Sequence, residues 1–375
     1  MQKLVEIIRE EIVKEGEIPF SRFMELALYH PRYGYYRKGM VPIGKLGDYY
    51  TSPTVHKLFG FLIGRQIKEI IEYLDLDKIT LVEAGAGRGH LAGDIGEYFS
   101  NYAKELVEKL ELIIIEPHQI YREIQYRETK SHFKRIEFLD TIDDLSDFNG
   151  VFYSNELFDA FPVDIVEFDS NRVYQIYVSF EGSSFVEKRG ALTEEVRDFL
   201  SSFEFTFKEK FRTEVSHQAA TFYSKVTEKL QKGAVLTIDY GYNFAEYLSS
   251  TRNRGTLMCY YRHQAFENPY VRVGGQDITA HVNFSVLRKI GEKNGLITEG
   301  YNEQQYFLMG CGFVEEVERL KGELTQKAFE EEMQKIKALI MPGGMGTTFK
   351  FFLQSKNLSA EKYCGFSYRN VKDGL

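Results

Sequence analysis

The first residues carry apolar side chains at helical spacing: Leu4, Ile7, Ile8 and Ile12 share one face, and Gly16 follows as a stop. The pattern predicts a helix over 2–15. A second helix begins near Pro19 and must end at His30-Pro31, because proline disfavours helical backbone at the residue before it. The Gly- and Tyr-rich stretch that follows, through Gly47-Asp48-Tyr49-Tyr50-Thr51-Ser52-Pro53, has neither period. So long a loop is uncommon in a compact fold unless it has a task.

From residue 57 short apolar runs alternate with amphipathic stretches. A helix over 58–74 leads to a strand at Ile79–Glu83, a helix over 90–108, a strand at Leu112–Glu116 and a helix from Gln119. Short strands follow at 136–139 and 150–154. Strand–helix alternation with continuous apolar runs predicts a buried parallel sheet. Between 163 and 190 the period falls to two (Val163, Ile165; Val173, Ile176, Val178, Phe180), which predicts antiparallel strands. Helices over 192–203 and 214–230 return to a core strand at Ala234–Asp239. After an irregular piece at 241–281 come a helix over 283–294, a strand near 296–309, a charged helix over 314–340, a Gly343-Gly344 turn and a strand at Thr347–Leu353. No internal repeat or low-complexity linker interrupts the chain.

The chain has 375 residues, 43% of them hydrophobic, enough for one large core with insertions or two smaller ones. It has no Trp, so 30 Phe and 25 Tyr carry the ring packing. A net charge of −8 argues against nucleic-acid binding, which needs a basic surface. Cys259, Cys311 and Cys364 are odd in number and far apart, with no CxxC and no zinc spacing, which reads as a reducing compartment. No metal site is expected. The N-terminus is acidic and amphipathic, unlike a signal or transit peptide, and no run reaches the apolar length of a membrane span. A cytoplasmic protein with no membrane insertion is the expectation.

The strongest local signal is Leu81-Val-Glu83-Ala-Gly85-Ala-Gly87-Arg-Gly89: a strand ends in an acid, and three glycines follow at alternate positions before a helix. Glycine serves where backbone turns sharply or touches a ligand with no Cβ between. The spacing is GxGxG, not the GxGxxG that sets a pyrophosphate on a helix N-terminus. It suits a phosphate-free ligand such as S-adenosylmethionine, whose amino-acid moiety needs backbone groups and a nearby carboxylate. Glu116, at the tip of the next strand, stands where nucleotide-binding α/β folds place an acid for the ribose hydroxyls. Alternatively, the glycines form an ordinary βα turn and Glu116 caps a helix. A nicotinamide enzyme is a further competitor, against which the spacing and Glu83 count.

With these segments in place the chain resembles the MidA family, relatives of a mitochondrial complex I assembly factor, over about residues 18–355. The resemblance rests on Phe23-Met-Glu-Leu-Ala-Leu-Tyr29 with Gly34-Tyr-Tyr36; Gly47 to Pro53; Glu83 to Gly89; Ser154-Asn-Glu-Leu-Phe-Asp-Ala-Phe-Pro162; Ile238-Asp-Tyr-Gly241; Asp277-Ile-Thr-Ala-His-Val-Asn-Phe284; and Gly343-Gly-Met-Gly346 with Phe349-Lys350. Ala86 and Asn283 depart from it, where Pro is usual and Asp is common. The resemblance implies an S-adenosylmethionine-dependent methyltransferase acting on a protein arginine, with a respiratory NADH dehydrogenase subunit as one candidate partner. It implies a Rossmann-like class I α/β fold, a mostly parallel seven-stranded sheet with helices on both faces, plus an N-terminal helical segment and β/α insertions. The expected division is 1–56 as helical cap and lid loop, 57–162 with 232–375 as the core, and 163–231 as an insertion walling the substrate side.

A guanidinium acceptor is charged, and carboxylates can grip two of its N–H groups while a third nitrogen faces the methyl. Glu156 is the first choice for that role, with Asn155 and Asp159 beside it, just past the fourth strand at the edge where open α/β sheets place their sites. Asn155 and Asp159 can equally cap a helix opening at Leu157. Thr51 or Ser52 can hold the methionine carboxylate, or Ser52-Pro53 can simply start the next helix. Whether Asp239, Asp277 and His281 line the site stays open, as do a small-molecule acceptor and a non-catalytic assembly factor.

Overall fold

The computed structural model describes residues 2–37, 52–169, 172–203, 205 and 210–375. They form two compact units, each built from three stretches: 1–50, 158–221 and 242–286 in one, 51–157, 222–241 and 287–375 in the other.

The second of these units holds the sheet that the alternating runs predict. Its strands are β1 (Ile79–Ala84), β2 (Leu110–Ile115), β3 (Ile136–Leu139), β4 (Phe148–Asn155), β5 (Leu230–Tyr242), β6 (Ile297–Glu303) and β7 (Phe349–Lys356). The seven run in the order β6-β7-β5-β4-β1-β2-β3. Strands β3, β2, β1, β4 and β5 are mutually parallel, and β7 lies antiparallel to both β5 and β6. The sheet is mostly parallel, as expected, but it counts eight strands among the described residues, because the two-residue strand Val282–Asn283 pairs beside this seven-strand path. Every residue of β1 is buried, because helices cover both faces and leave no polar side to the strand. Thr80, Gly150 and Gly233 stand side by side across β1, β4 and β5, and a Cβ on Gly150 would come within 1.9 Å of the Thr80 carbonyl oxygen. The three central strands close up there only because Gly150 and Gly233 carry no side chain.

Helices Leu58–Leu74 and His90–Tyr102 pack Phe59, Ile63, Ile67, Ile70, Leu91, Ile95 and Phe99 into one apolar cluster with the sheet. At ~25 cal/mol per Å² of apolar surface, burying each such large side chain contributes about 2 kcal/mol. The chain order reverses between β1 and β4, which are adjacent but lead outward to β2 and β5 respectively. At such a switch point the loops beyond the carboxyl ends diverge and leave a crevice.

The other unit starts with helix Gln2–Glu15, whose Leu4, Ile8 and Ile12 are buried as the periodicity predicts. They join Phe20, Phe23 and Met24 of helix Phe20–Tyr29 in a second core with Ile165, Ile176 and Val178. The antiparallel strands read from the two-residue period are Asp164–Asp169, Arg172–Glu181 and Ser184–Gly190, joined by Phe211–Val215 and the short Ile18–Pro19.

Several elements differ from the sequence expectations. The 241–281 segment contains a three-stranded sheet of Met258–Tyr261, Gln264–Phe266 and Asp277–Thr279. The strand expected to run to 309 stops at Glu303, and helix Gln304–Gly310 follows. The charged helix is two, Phe313–Glu323 and Gln326–Ile340, because Thr325 turns out of helical geometry and caps the second through its side chain.

Candidate cofactor and acceptor site

The loop after β1 follows from its glycines. Gly85, Gly87 and Gly89 have φ of +72°, +53° and +85°, the left-handed region that costs other residues about 1–2 kcal/mol. A Cβ on Gly85 would sit 3.0 Å from Leu157 Cδ1, and one on Gly89 would lie 2.9 Å from the Gln125 Cα. The loop is thus drawn against β4's exit on one side and helix Gln119–Thr129 on the other.

Glu83 and Glu116 close the two ends of this cradle. Glu83 is 2% exposed on β1, opposite Tyr153 of β4, and burial pushes its carboxyl up to about 8. Its Oε2 accepts no hydrogen bond. Glu116 follows β2; its Oε1 accepts the His118 N–H at 2.9 Å and its Oε2 accepts Gln125 Nε2 at 3.2 Å. Gln125 Nε2 also donates to the Gly87 carbonyl at 2.9 Å, so one amide ties the glycine loop to the acid of the next strand. Nothing in the sequence marks Gln125: it is a glutamine buried on a helix that exposes most of its other side chains at least in part.

At the end of β4, Ser154 Oγ and Asn155 Oδ1 are also buried without a partner. Unpaired buried polar atoms are costly, about 1–3 kcal/mol each. Their concentration at the carboxyl ends of β1 and β4, beside a glycine cradle, fits a polar ligand seated there. Glu83 would meet its ammonium group, the glycine loop its carboxylate and Glu116 its ribose hydroxyls, which suits an adenosyl amino acid.

Glu156 has a φ of +52°, rare for a residue with a side chain and strained by roughly 1–3 kcal/mol. Its N–H donates to the Ile238 carbonyl at 2.9 Å, Asn155 Nδ2 donates to Oε1 at 2.9 Å, and the Tyr240 hydroxyl donates to Oε2. Tyr240 packs on the Phe349 ring with centroids 4.4 Å apart. Asp239, fully buried, accepts the Leu157 N–H on Oδ2 at 3.2 Å and the Tyr240 N–H on Oδ1 at 2.9 Å. No α-helix opens at Leu157; a 3-10 turn, Phe158–Ala160, stands there, and Asn155 bonds Glu156 rather than capping a helix.

The remaining expected residues have neighbours of their own. Ser52 begins helix Ser52–Val55, fully buried, with its hydroxyl 3.1 Å from Gln304 Oε1. Thr51, with Gly47 through Tyr50, lies outside the described residues. Asp159 belongs to the other unit, where its carbonyl accepts the Ala280 N–H at 3.0 Å. Asp277, in the same unit, accepts the Tyr36 hydroxyl at 2.8 Å, and His281 lies against the Tyr242 ring, centroids 5.1 Å apart. Among the described residues no group of three His, Cys, Asp or Glu side chains is placed to hold a metal, and no helix is long and apolar enough to cross a membrane.

Residues 62–302 match the model of a family described as S-adenosyl-L-methionine-dependent methyltransferases. A protein of Burkholderia thailandensis, solved with S-adenosyl-homocysteine bound, superposes with a TM-score of 0.88 at 30% identity, covering 100% of this chain and 97% of that one. Protein arginine methyltransferase NDUFAF7, mitochondrial, of Danio rerio is 27% identical across 94% of this chain and 86% of its own. Its Drosophila melanogaster homologue is 26% identical across 97% and 88%. The cytoplasmic expectation is overturned here, since these relatives are mitochondrial by name. The acidic N-terminal pattern behind it records the packing of helix Gln2–Glu15, whose apolar face is buried, and packing carries no address. The seven-strand order, the glycine cradle with its two acids and the family match over most of the chain agree: the chain belongs to the S-adenosyl-L-methionine-dependent methyltransferases, and S-adenosyl-L-methionine is its cofactor.

Proposed function

We propose that the chain methylates an arginine of a partner protein, with Glu156 gripping the guanidinium. The observation that carries this reading is Glu156 itself: a carboxylate at the sheet's switch-point edge, in strained backbone, oriented by Asn155 and Tyr240. A carboxylate so fixed can take two N–H groups of the planar guanidinium in parallel, which aims the remaining nitrogen and draws charge off it. When bound, the cofactor supplies a methyl group activated on a sulfonium. Glu83 and the Gly85–Gly89 loop hold its amino-acid end in this reading, and Glu116 its ribose. Asp239 acts at one remove, pinning Leu157 and Tyr240 so that Glu156 keeps its place. The arginine acceptor draws further support from the relatives named protein arginine methyltransferase, and a subunit of a respiratory NADH dehydrogenase is the partner that the resemblance implies. Asp159 is kept as a further acceptor-side residue, and Thr51 and Ser52 as cofactor-side ones.

The test is incubation of the full chain with methyl-labelled cofactor and candidate partner proteins, followed by peptide mass spectrometry. Label on arginine, lost with Glu156→Gln, is the expected result. Label entering only the small-molecule fraction would replace the protein acceptor with a metabolite. Undiminished biological activity in both Glu156→Ala and Gly85→Val would point to a non-catalytic assembly factor.

A further inference from the structure

The cysteines read as far apart in sequence do not all stay apart. Cys311 and Cys364, 53 positions from each other, bring their sulfurs to 3.2 Å. Cys311 is fully buried at the end of helix Gln304–Gly310, and Cys364 is half-buried at the start of the 3-10 turn Cys364–Phe366. Their backbones are anchored to one helix, Leu58–Leu74. Arg65 Nη1 donates to the Cys311 carbonyl at 3.1 Å, the Cys364 N–H to Glu69 Oε2 at 2.7 Å, and the Gly365 N–H to Gln66 Oε1 at 2.9 Å. Three side chains within about a turn of that helix, one donating and two accepting, therefore hold the two thiols face to face. Since a covalent S–S bond is about 2.0 Å, closing this contact needs a shift of only about an ångström. No third ligand completes a metal set among the described residues, so the pair's available chemistry is oxidation.

We propose that Cys364 and Cys311 form a thiol-modification site in which Cys364 takes up a small-molecule disulfide of the oxidised-glutathione type and Cys311 resolves it. Cys364, the less buried of the two, loses its proton and its thiolate attacks one sulfur of the disulfide. An S–S bond forms to Cys364, the original S–S bond breaks, and one glutathione leaves as a thiolate that takes up a proton. Cys311 then gives up its proton, attacks the Cys364 sulfur and expels the second glutathione, which is protonated in turn. Two protein thiols lose two electrons and one small-molecule disulfide gains them. Burial raises the Cys311 thiol far above its ordinary range, which assigns it the second, intramolecular attack, where proximity compensates for a low thiolate fraction. The bridge closes a loop that contains helices Phe313–Glu323 and Gln326–Ile340 and strand β7. Cross-linking a loop of that length raises the Tm by about 5 °C.

The experiment uses the full reduced chain treated with oxidised glutathione, then denatured, alkylated and peptide-mapped. The expected map shows a Cys311–Cys364 disulfide with Cys259 alkylated, and a Tm rise of about 5 °C that dithiothreitol reverses. Cys311→Ser should accumulate a glutathione adduct on Cys364, and Cys364→Ser should leave Cys311 reduced. Alkylation of all three cysteines in the treated wild type overturns the proposal, as does an adduct on Cys364 that persists while Cys311 is present. The wild-type map needs no variant to fold, and it is read without any methyl transfer.

Discussion

Substituting Glu83 by Gln tests the cofactor cradle through its electrostatics. Glu83 is buried on β1, and burial raises its carboxyl from an ordinary 4.5 to about 8. The folded chain therefore binds this proton more tightly than the unfolded one, so the group is best tolerated below about pH 4.5 and costs stability as the pH rises towards 8. At ~1.4 kcal/mol per pH unit, the interval amounts to about 4–5 kcal/mol, fully drawn down above pH 8. Glutamine has the shape and neutrality of the protonated acid and does not titrate. The ligand-free wild type and Glu83→Gln should therefore melt together near pH 4.5 and diverge as the pH rises, with the variant roughly 5–10 °C higher at pH 8.5. The same substitution removes the negative charge expected to meet the cofactor's ammonium, so affinity for S-adenosylhomocysteine should fall about 10–100-fold at pH 8, a stability gain traded against binding. Melting followed by circular dichroism across pH 5–8.5, paired with calorimetry, reads both. A constant difference in Tm across that range refutes the buried titration, and unchanged affinity refutes the contact.

Gly85→Val combines a φ of +72° with a Cβ pressed on Leu157, and calorimetry should show S-adenosylhomocysteine binding weakened at least ~100-fold while far-ultraviolet circular dichroism is retained. Glu116→Gln removes one charge from a carboxylate assigned to the ribose, so adenosine should compete about 10-fold less well; equal competition would detach Glu116 from the nucleoside. Glu156→Gln should lower kcat/KM for an arginine-containing protein roughly 100-fold or more with cofactor affinity unchanged, and a loss confined to cofactor binding would contradict the acceptor role. Tyr240→Phe deletes the hydroxyl that donates to Glu156, and a kcat about 10–100-fold lower at near-wild-type Tm is expected; a pure stability loss would make the contact structural only.

Much of the fold was legible because burial imposes a period. Strands β1, β2 and β5 centre on short apolar runs with no polar alternation, since a parallel sheet covered on both faces has no polar side to record. Helix Gln2–Glu15 shows its buried face for the complementary reason. The left-handed turn of Gly85, Gly87 and Gly89 was legible because positive φ at fixed offsets from a strand end calls for glycine. Where side chains meet across long separations, sequence carries no such mark. Gln125 bridging Gly87 and Glu116, Tyr240 reaching Glu156 from a strand 84 positions on, and Cys311 meeting Cys364 all depend on distances set by packing. The break between Glu323 and Gln326 and the sheet inside 241–281 were missed because short elements repeat too few times to show a period. Local spacing thus determined most of the strands and helices and the glycine loop; the partners of each polar side chain were decided by the sheet order, which only the assembled chain possesses.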